Sequence, residues 1–281
     1  MAGKLYLCAT PIGNLDDITF RVVETLKSVD LIAAEDTRHT LGLLNHFDIK
    51  AKLTSYHEHN KYEKAIELVE KMQEGLNVAL VTDAGTPGIS DPGEELVKEC
   101  YKAGIEVTSL PGASAIVVAL SMCGLSSRRF VFEGFLPADK KERKEALNRL
   151  EGEIRTIVIY EAPHRITKTL KELLETLGNR NIRICKELTK IHEKVLALTL
   201  EEAINFFEES EPKGEMVIVI EGADEEELIA EKRKSFEEKS MQEHVNMYIE
   251  QGMDEKDAMK QVAKDRGIAK RDVYEQIKVQ K

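Results

Sequence analysis

"VALVTDAGTPGISDPG" (Val78–Gly93) decides how the first half of this chain folds. The apolar run Val78-Ala79-Leu80-Val81 stops at Asp83, and Gly85, Pro87, Gly88, Pro92 and Gly93 follow it. A short apolar run closed by turn residues is a buried strand. A loop so rich in glycine loses much conformational freedom on folding and buries no core, which marks it as a loop that holds something.

Outward from this stretch the same unit repeats. Lys4–Thr10, Asp30–Asp36, Lys52–Glu58, Asn77–Asp83 and Glu106–Gly112 read as strands. Between them, Asp17–Val29, His39–Phe47, Lys61–Gly75 and Gly93–Gly104 read as helices. In the third of these, Tyr62, Ala65, Ile66, Val69 and Met72 are expected on one face, with Gly75 as the stop. Strand–helix alternation with short joints predicts a mostly parallel sheet covered on both faces. Ala113–Gly124 is apolar nearly all round and is expected to be a buried helix joining two domains. The second half offers strands at Phe130–Phe135, Thr156–Ala162, Asn181–Leu188, Glu193–Leu200 and Gly214–Gly222, with helices at Lys140–Leu150 and Arg165–Gly178. No helix is expected between its last strands, so the second sheet should be mixed.

From Ala223 the composition turns charge-rich, and Met241–Lys281 reads as helix, glycine turn, helix. The expected organisation is therefore an α/β protein of two α/β domains, 1–112 and 113–222. A charged linker or exposed helix, 223–240, and a small helical, helix-turn-helix-like tail, 241–281, follow. Lys264, Arg266, Lys270 and Arg271 cluster at the tail's turn, although the tail carries eight charges of each sign. Gripping nucleic acid and packing against the body both remain open for it.

Composition narrows the function. The 281 residues are 42% hydrophobic and 32% charged, as in ordinary soluble globular proteins. A net charge of −11 argues against a wholly nucleic-acid-binding surface, and 5% aromatics with no Trp argue against a base-stacking platform. A local patch is still available: Arg128 to Arg149 holds seven Lys/Arg against four Asp/Glu. Cys8, Cys100, Cys123 and Cys185 are scattered with no CxxC, so reduced thiols and no metal site are expected. The first residues are too short in apolar run for a signal segment, and no stretch approaches a membrane span. A cytoplasmic protein is expected.

The glycine loop lacks GxxxxGK[ST] and GxGxxG, and no lysine lies between Val78 and Gly93 to meet a phosphate. Asp83 and Asp91, with Glu94 and Glu95 behind them, would repel a polyphosphate. A ligand with a cationic centre and one carboxylate suits the loop better, its carboxylate on backbone N–H groups. S-adenosylmethionine is such a ligand.

"LYLCATPIGNLDDIT", "AAEDTRHT", "VTDAGTPGISDPG", "SLPGASA", "EGFLP", "YEAPHR", "CKELTKIHE" and "KGEMVIVIEG" resemble, in this order, the ribosomal RNA small subunit methyltransferase I family. That family lies within the tetrapyrrole-methylase superfamily, the class III methyltransferases. The likeness spans roughly Lys4 to Gly222, and the tail has its counterpart in many members. It implies two α/β domains with S-adenosylmethionine in the cleft between them, and methyl transfer to the ribose 2′-oxygen of a cytidine in 16S ribosomal RNA. The implied partners are the small ribosomal subunit or its RNA and a second copy in a homodimer, with no membrane.

Carried over from the resemblance, Pro11, Gly85, Thr86 and Ile89 would bind the cofactor from the first domain, and Ser114 and Ala115 from the linking helix. Tyr160, Glu161, Ala162, Gly214, Glu215 and Met216 would close on it from the second. A ribose hydroxyl is a weak acid and needs a base or a nearby cation. His57 or Glu58 is the candidate acceptor, and Lys186 the candidate to steady the oxyanion. Arg38 and Arg165, with Lys140, Lys141 and Arg143 of the basic helix, are the candidate RNA contacts. The runner-up on the same scaffold is a methyltransferase acting on a tetrapyrrole precursor, whose acidic macrocycle would want basic residues inside the cleft. A nucleic-acid-binding regulator with the body as ligand sensor fits less well, given so many polar strand ends.

Overall fold

A computed structural model describes residues 2–237 and 239–279. The chain divides into two compact units, one running to Leu150 and resuming over Arg155–Glu221, the other formed by Glu151–Ile154 and the chain from Gly222 onward.

The larger unit holds two five-stranded sheets. The first comprises β1 (Lys4–Cys8), β2 (Leu31–Ala34), β3 (Leu53–Ser55), β4 (Val78–Val81) and β5 (Glu106–Leu110), in the order β3-β2-β4-β1-β5. Every pairing in it is parallel. All four residues of β2 and of β4 are buried, as in a sheet covered on both faces. Helices α1 (Phe20–Ser28) and α2 (Thr37–His46) pack on one face through Val22, Leu26 and Leu44. Helices α3 (Lys61–Gln73) and α4 (Gly93–Lys102) cover the other through Leu68, Met72 and Leu96. The buried face of α3 is Ala65, Leu68, Val69 and Met72, a strict i, i+3, i+4, i+7 set. Tyr62 and Ile66, expected on that face, are 65% and 56% exposed.

The chain leaves β2 for β3 on one side and β4 for α4 and β5 on the other, although β2 and β4 are neighbours. The crevice at their carboxyl ends is thus a topological switch point, where open α/β sheets bind ligands. Glu35 follows β2 there, and Asp83 follows β4.

Helix α5 (Ala115–Met122) leads to the second sheet. Its Ile116, Ala119 and Leu120 are buried, but Val117 is 63% exposed, so this uniformly apolar helix is covered on one side only. The second sheet contains β6 (Phe130–Phe135), β7 (Thr156–Glu161), β8 (Asn181–Lys186), β9 (Lys194–Thr199) and β10 (Met216–Ile220), in the order β6-β7-β10-β8-β9. It is mixed: β6 and β7 pair parallel, while the other neighbours are antiparallel. Helices α6 (Lys140–Leu150), α7 (Ile166–Leu177) and α8 (Leu200–Glu209) cover one face. Helix α8 corrects the expectation of no helix between the last strands. It starts on a capping box in which the Thr199 hydroxyl accepts the Glu202 N–H and the Glu202 side chain returns to the Thr199 N–H.

The smaller unit carries α9 (Glu225–Glu237), in the stretch expected as charged linker or exposed helix, and then α10 (Met241–Glu250), α11 (Glu255–Arg266) and α12 (Lys270–Val279). Gly267 ends α11 in the left-handed conformation, and Val245, Ala258, Val262, Val273 and Ile277 form the core. Arg266 donates to the Lys239 and Ser240 carbonyls and to His244 Nδ1, so this cation of the turn is engaged within the unit. No helix among the described residues is long and apolar enough to cross a membrane.

Candidate active site

The loop after β4 folds back on the end of β1. Thr10 and Gly85 exchange backbone hydrogen bonds of 2.9 and 3.0 Å, and the buried Thr10 hydroxyl donates to the Thr82 carbonyl at 3.1 Å. Gly85 and Gly88 sit at φ +88° and +85°, where a side chain is strained. Their role is conformational: an added Cβ at Gly85 would make just ordinary contacts, with Ile12 Cγ2 at 3.4 Å and the Ala113 carbonyl oxygen at 3.6 Å. The Asp91 carboxylate accepts the N–H groups of Gly88 (2.8 Å), Ile89 (3.1 Å) and Gly93 (2.7 Å). These amides, expected to be open to a ligand carboxylate, are therefore taken up inside the loop, and Asp91 is the residue that shapes it.

Around this loop opens a cleft of about 530 Å³ within the larger unit. Of the residues expected at the cofactor, Gly85, Thr86 and Ile89 line it from the loop, Ser114 and Ala115 from the start of α5, and Tyr160, Glu215 and Met216 from the second sheet. Tyr160 packs against Phe132 and Phe135 with ring centroids 5.0 and 5.5 Å apart, and burial pushes its hydroxyl up to about 12. Pro11, Glu161, Ala162 and Gly214 are not in this lining. Pro11 faces a neighbouring hollow. Gly214 lies at φ +71°, where a Cβ would collide with the Glu187 carboxylate.

Glu161 is a correction with a physical cause. It is fully buried and engaged on every side: by the Ala162 N–H at 2.9 Å, the Thr169 hydroxyl, Arg165 Nε at 3.4 Å and Arg143 Nη2 at 3.8 Å. Arg143 is corrected with it. Only 4% exposed, it also pairs with Glu172 at 2.6 Å, so its charge is consumed in the protein and is not offered to RNA. Arg165 donates to the Leu136 carbonyl at 2.7 Å and is half-buried. Lys140 and Lys141 are exposed on α6.

The candidate catalytic residues of the sequence do not line the cleft either. Glu58 is exposed and paired with Lys61 at 2.5 Å. The His57 N–H donates to Asn60 Oδ1 at 2.8 Å, while its buried Nδ1 has no hydrogen-bond partner among the described residues. Lys186, in register with Met216 at the end of β8, is not in the cleft lining, whereas its neighbour Cys185 is.

What the cleft does contain is acid. Glu35, Asp83, Asp91, Glu187 and Glu215 line it, and Lys190 is the cation in the same lining. Glu35 titrates above the usual carboxylate range, first because it is desolvated and next because Asp83 is beside it; the Asp83 N–H and His57 offset this in part. The Asp36 N–H donates to Asp83 at 3.1 Å, which holds the ends of β2 and β4 together. Sequence alone singles out no role for Glu35, which lies within the expected strand Asp30–Asp36, because its approach to Asp83 depends on the sheet order.

The loop from β8 to β9, which lies within the quoted block CKELTKIHE, gives the cleft more than the Lys186 sought there. Leu188 and Lys190 of that loop line the cleft, and Glu187 and Thr189 sit at φ 53° and 64° without being glycine. The Asn14 N–H donates to Thr189 Oγ1 at 3.1 Å, and a Cβ at Gly13 would fall 2.6 Å from Lys190 Cγ. Gly13 is thus required by the close approach of the two loops. Among the described residues no three His, Cys, Asp or Glu side chains gather as metal ligands, and all four cysteines are buried thiols.

The model of the tetrapyrrole (corrin/porphyrin) methylases matches residues 4–204. The chain is 51% identical over 272 residues to a protein of Halalkalibacterium halodurans named ribosomal RNA small subunit methyltransferase I, covering 97% of this chain and 93% of that one. A protein of the same name from Synechocystis is 49% identical over 274 residues, covering 97% and 96%. Among solved structures, uroporphyrin-III C-methyltransferase from Thermus thermophilus complexed with S-adenyl homocysteine is similar in fold. Its TM-score is 0.55 at 18% identity, over 77% of this chain and 97% of that chain.

Proposed function

The chain belongs to the tetrapyrrole (corrin/porphyrin) methylase family, and we propose that within it this methyltransferase moves a methyl group from S-adenosylmethionine to the ribose 2′-oxygen of a cytidine in 16S ribosomal RNA. The observation that carries the RNA reading is near-full-length likeness, at about half identity, to relatives named for the small-subunit ribosomal RNA.

The residues present fit S-adenosylmethionine. A ring of carboxylates favours a sulfonium and an ammonium, and the Phe135–Tyr160 wall suits a flat heterocycle. Thr86 and Ser114 add polar groups beside it. Held there, the cofactor would supply an electrophilic methyl to the ribose oxygen, with the S–C bonding pair left on sulfur. The protein then has to position the hydroxyl and take its proton. We place the acceptor at Glu35, which stands in the cleft with a raised affinity for protons, rather than at His57 or Glu58. Lys190 takes the place sought for Lys186. Arg38, Arg165, Lys140 and Lys141 are proposed as contacts to RNA phosphates.

The small subunit or its RNA is proposed as the substrate, and a homodimer through the exposed Val117, Met122 and Phe130 as the working form; light scattering checks the latter. The main test supplies labelled S-adenosylmethionine to purified protein and small subunits from cells lacking it, then resolves the nucleosides by mass spectrometry. Labelled 2′-O-methylcytidine is the expected product. Label in no ribonucleoside would return the tetrapyrrole alternative.

A further inference from the structure

The acid of the cleft raises a problem for the proposed substrate, because an RNA strand carries a phosphate at every nucleotide. The structure offers another place for it. A second hollow, of about 370 Å³, lies between the turn after β1 and helix α2. Pro11, Leu15 and Leu43 form apolar walls, and Arg38 and His39 stand beside them. Thr82 and Asp83 line both this hollow and the acid cleft, so the two cavities meet at the end of β4. Both volumes fall in the ordinary range of small-ligand sites, about 300–1,000 Å³.

We propose that this hollow seats the target nucleotide of a single-stranded RNA, with its ribose at the Thr82–Asp83 wall and its phosphate at Arg38. This rests on the RNA reading above. Charge complementarity selects the occupant. Asp83, on the shared wall, is the one carboxylate in the hollow's lining, against five in the cleft. An anionic nucleotide is therefore tolerated in the hollow and repelled from the cleft, while a sulfonium prefers the reverse. Apolar walls suit the faces of a base taken out of its stack. The Arg38 side chain is 92% exposed and reaches Asp36 at 3.2 Å. An ion pair this exposed is weak, so a phosphate can share the guanidinium without a large loss. Glu35 and Asp83 then stand where acceptor and donor come together, and the hydroxyl proton has a carboxylate to go to.

Gly42 provides a clean test. It lines the hollow on α2, and a Cβ added there meets no protein atom within 4 Å. A side chain at this helical position also improves helix propensity, so Gly42→Trp should fill the hollow without unfolding the protein. Methyl transfer to small subunits is measured for wild type and Gly42→Trp, with calorimetric binding of S-adenosylmethionine alongside and matched thermal melts. Gly42→Trp should lose on the order of 100-fold in kcat/KM for the subunit, as expected for a displaced substrate, with cofactor affinity unchanged within about twofold. Arg38→Ala should raise KM and flatten its salt dependence. Wild-type turnover by a folded Gly42→Trp overturns the proposal. So does an equal loss of cofactor binding, which would make the hollow part of the cofactor site. Absence of transfer by the wild type would fell the RNA reading itself, and this inference with it.

Discussion

The ends of β2 and β7 make the sharpest contrast in the molecule, because each presents a glutamate. Glu161, at the end of β7, is fully buried, yet two arginines, a threonine hydroxyl and a backbone N–H satisfy it. Glu35, after β2, is only half-buried and has a like charge, Asp83, as its nearest strong neighbour. The comparison separates two uses of the same side chain. A buried carboxylate with its partners complete holds structure together, here tying β7 to α6 and α7. A partly desolvated one without a cation beside it is held ready for a proton, and such groups mark functional sites.

The largest expected effect tests the structural member. Glu161→Ala leaves Arg143, 4% exposed, with part of its pairing gone. Breaking a buried pair by removing one partner costs about 3–5 kcal/mol. Denaturant unfolding should show a loss near the lower end of that range, because Glu172 still pairs with Arg143 at 2.6 Å. Unchanged stability with abolished cofactor binding would restore Glu161 to the cofactor site. Next comes the chemical member. Glu35→Gln keeps shape and removes the base, so kcat should fall by ~10²-fold or more while cofactor affinity holds. Wild-type kcat would exclude Glu35 and turn attention to His57, whose Nδ1 has no partner among the described residues.

Much of this contrast was invisible before folding. The strand at Val78–Val81 and the loop after it could be read directly, because an apolar run ending in glycine and proline is a local signal. Gly85 and Tyr160, which only the resemblance brought to the cofactor, both line the cleft. Helix α8 could also have been read, since Thr199 and Glu202 form a capping box ahead of Leu200, Ala203, Ile204 and Phe207. For α3, choosing Leu68 over Tyr62 and Ile66 needed only the stricter helical period. Glu161 and Arg143 are different. They lie far apart in the chain, and their burial arises from tertiary pairing between β7, α6 and α7, which no local pattern encodes. Equally, Glu35 meets Asp83 only because β4 inserts beside β2.

A smaller effect distinguishes conformation from contact in the cleft loop. Gly85→Ala forces a side chain to φ +88°, which costs roughly 1–2 kcal/mol. The melting temperature should fall and the KM for S-adenosylmethionine rise together, because the strained loop carries Thr86 and Ile89 into the cleft. A rise in KM without loss of stability would mean that the glycine is needed for close approach of the ligand instead.

The smallest effect is also the one whose sign separates the two glutamates. Glu35 binds its proton more tightly in the folded protein than in the unfolded chain, so folding favours its neutral form. Its contribution to stability is therefore fully present below the ordinary carboxylate value of 4.5 and is lost as pH rises through the raised value. At neutral pH the ionised Glu35 opposes folding, and Glu35→Gln, neutral at every pH, should melt slightly higher than wild type. Turnover should run the other way, falling on the acid side as Glu35 takes up its proton and ceases to act as a base. Glu161→Gln should melt lower than wild type at the same pH, since it leaves Arg143 and Arg165 short of a counter-charge. Paired melts of the two variants at neutral pH are the check. Two downward shifts would mean that Glu35 is a structural carboxylate like its counterpart, whereas opposite shifts, with activity lost in Glu35→Gln, confirm that the same residue type serves two ends in the two sheets.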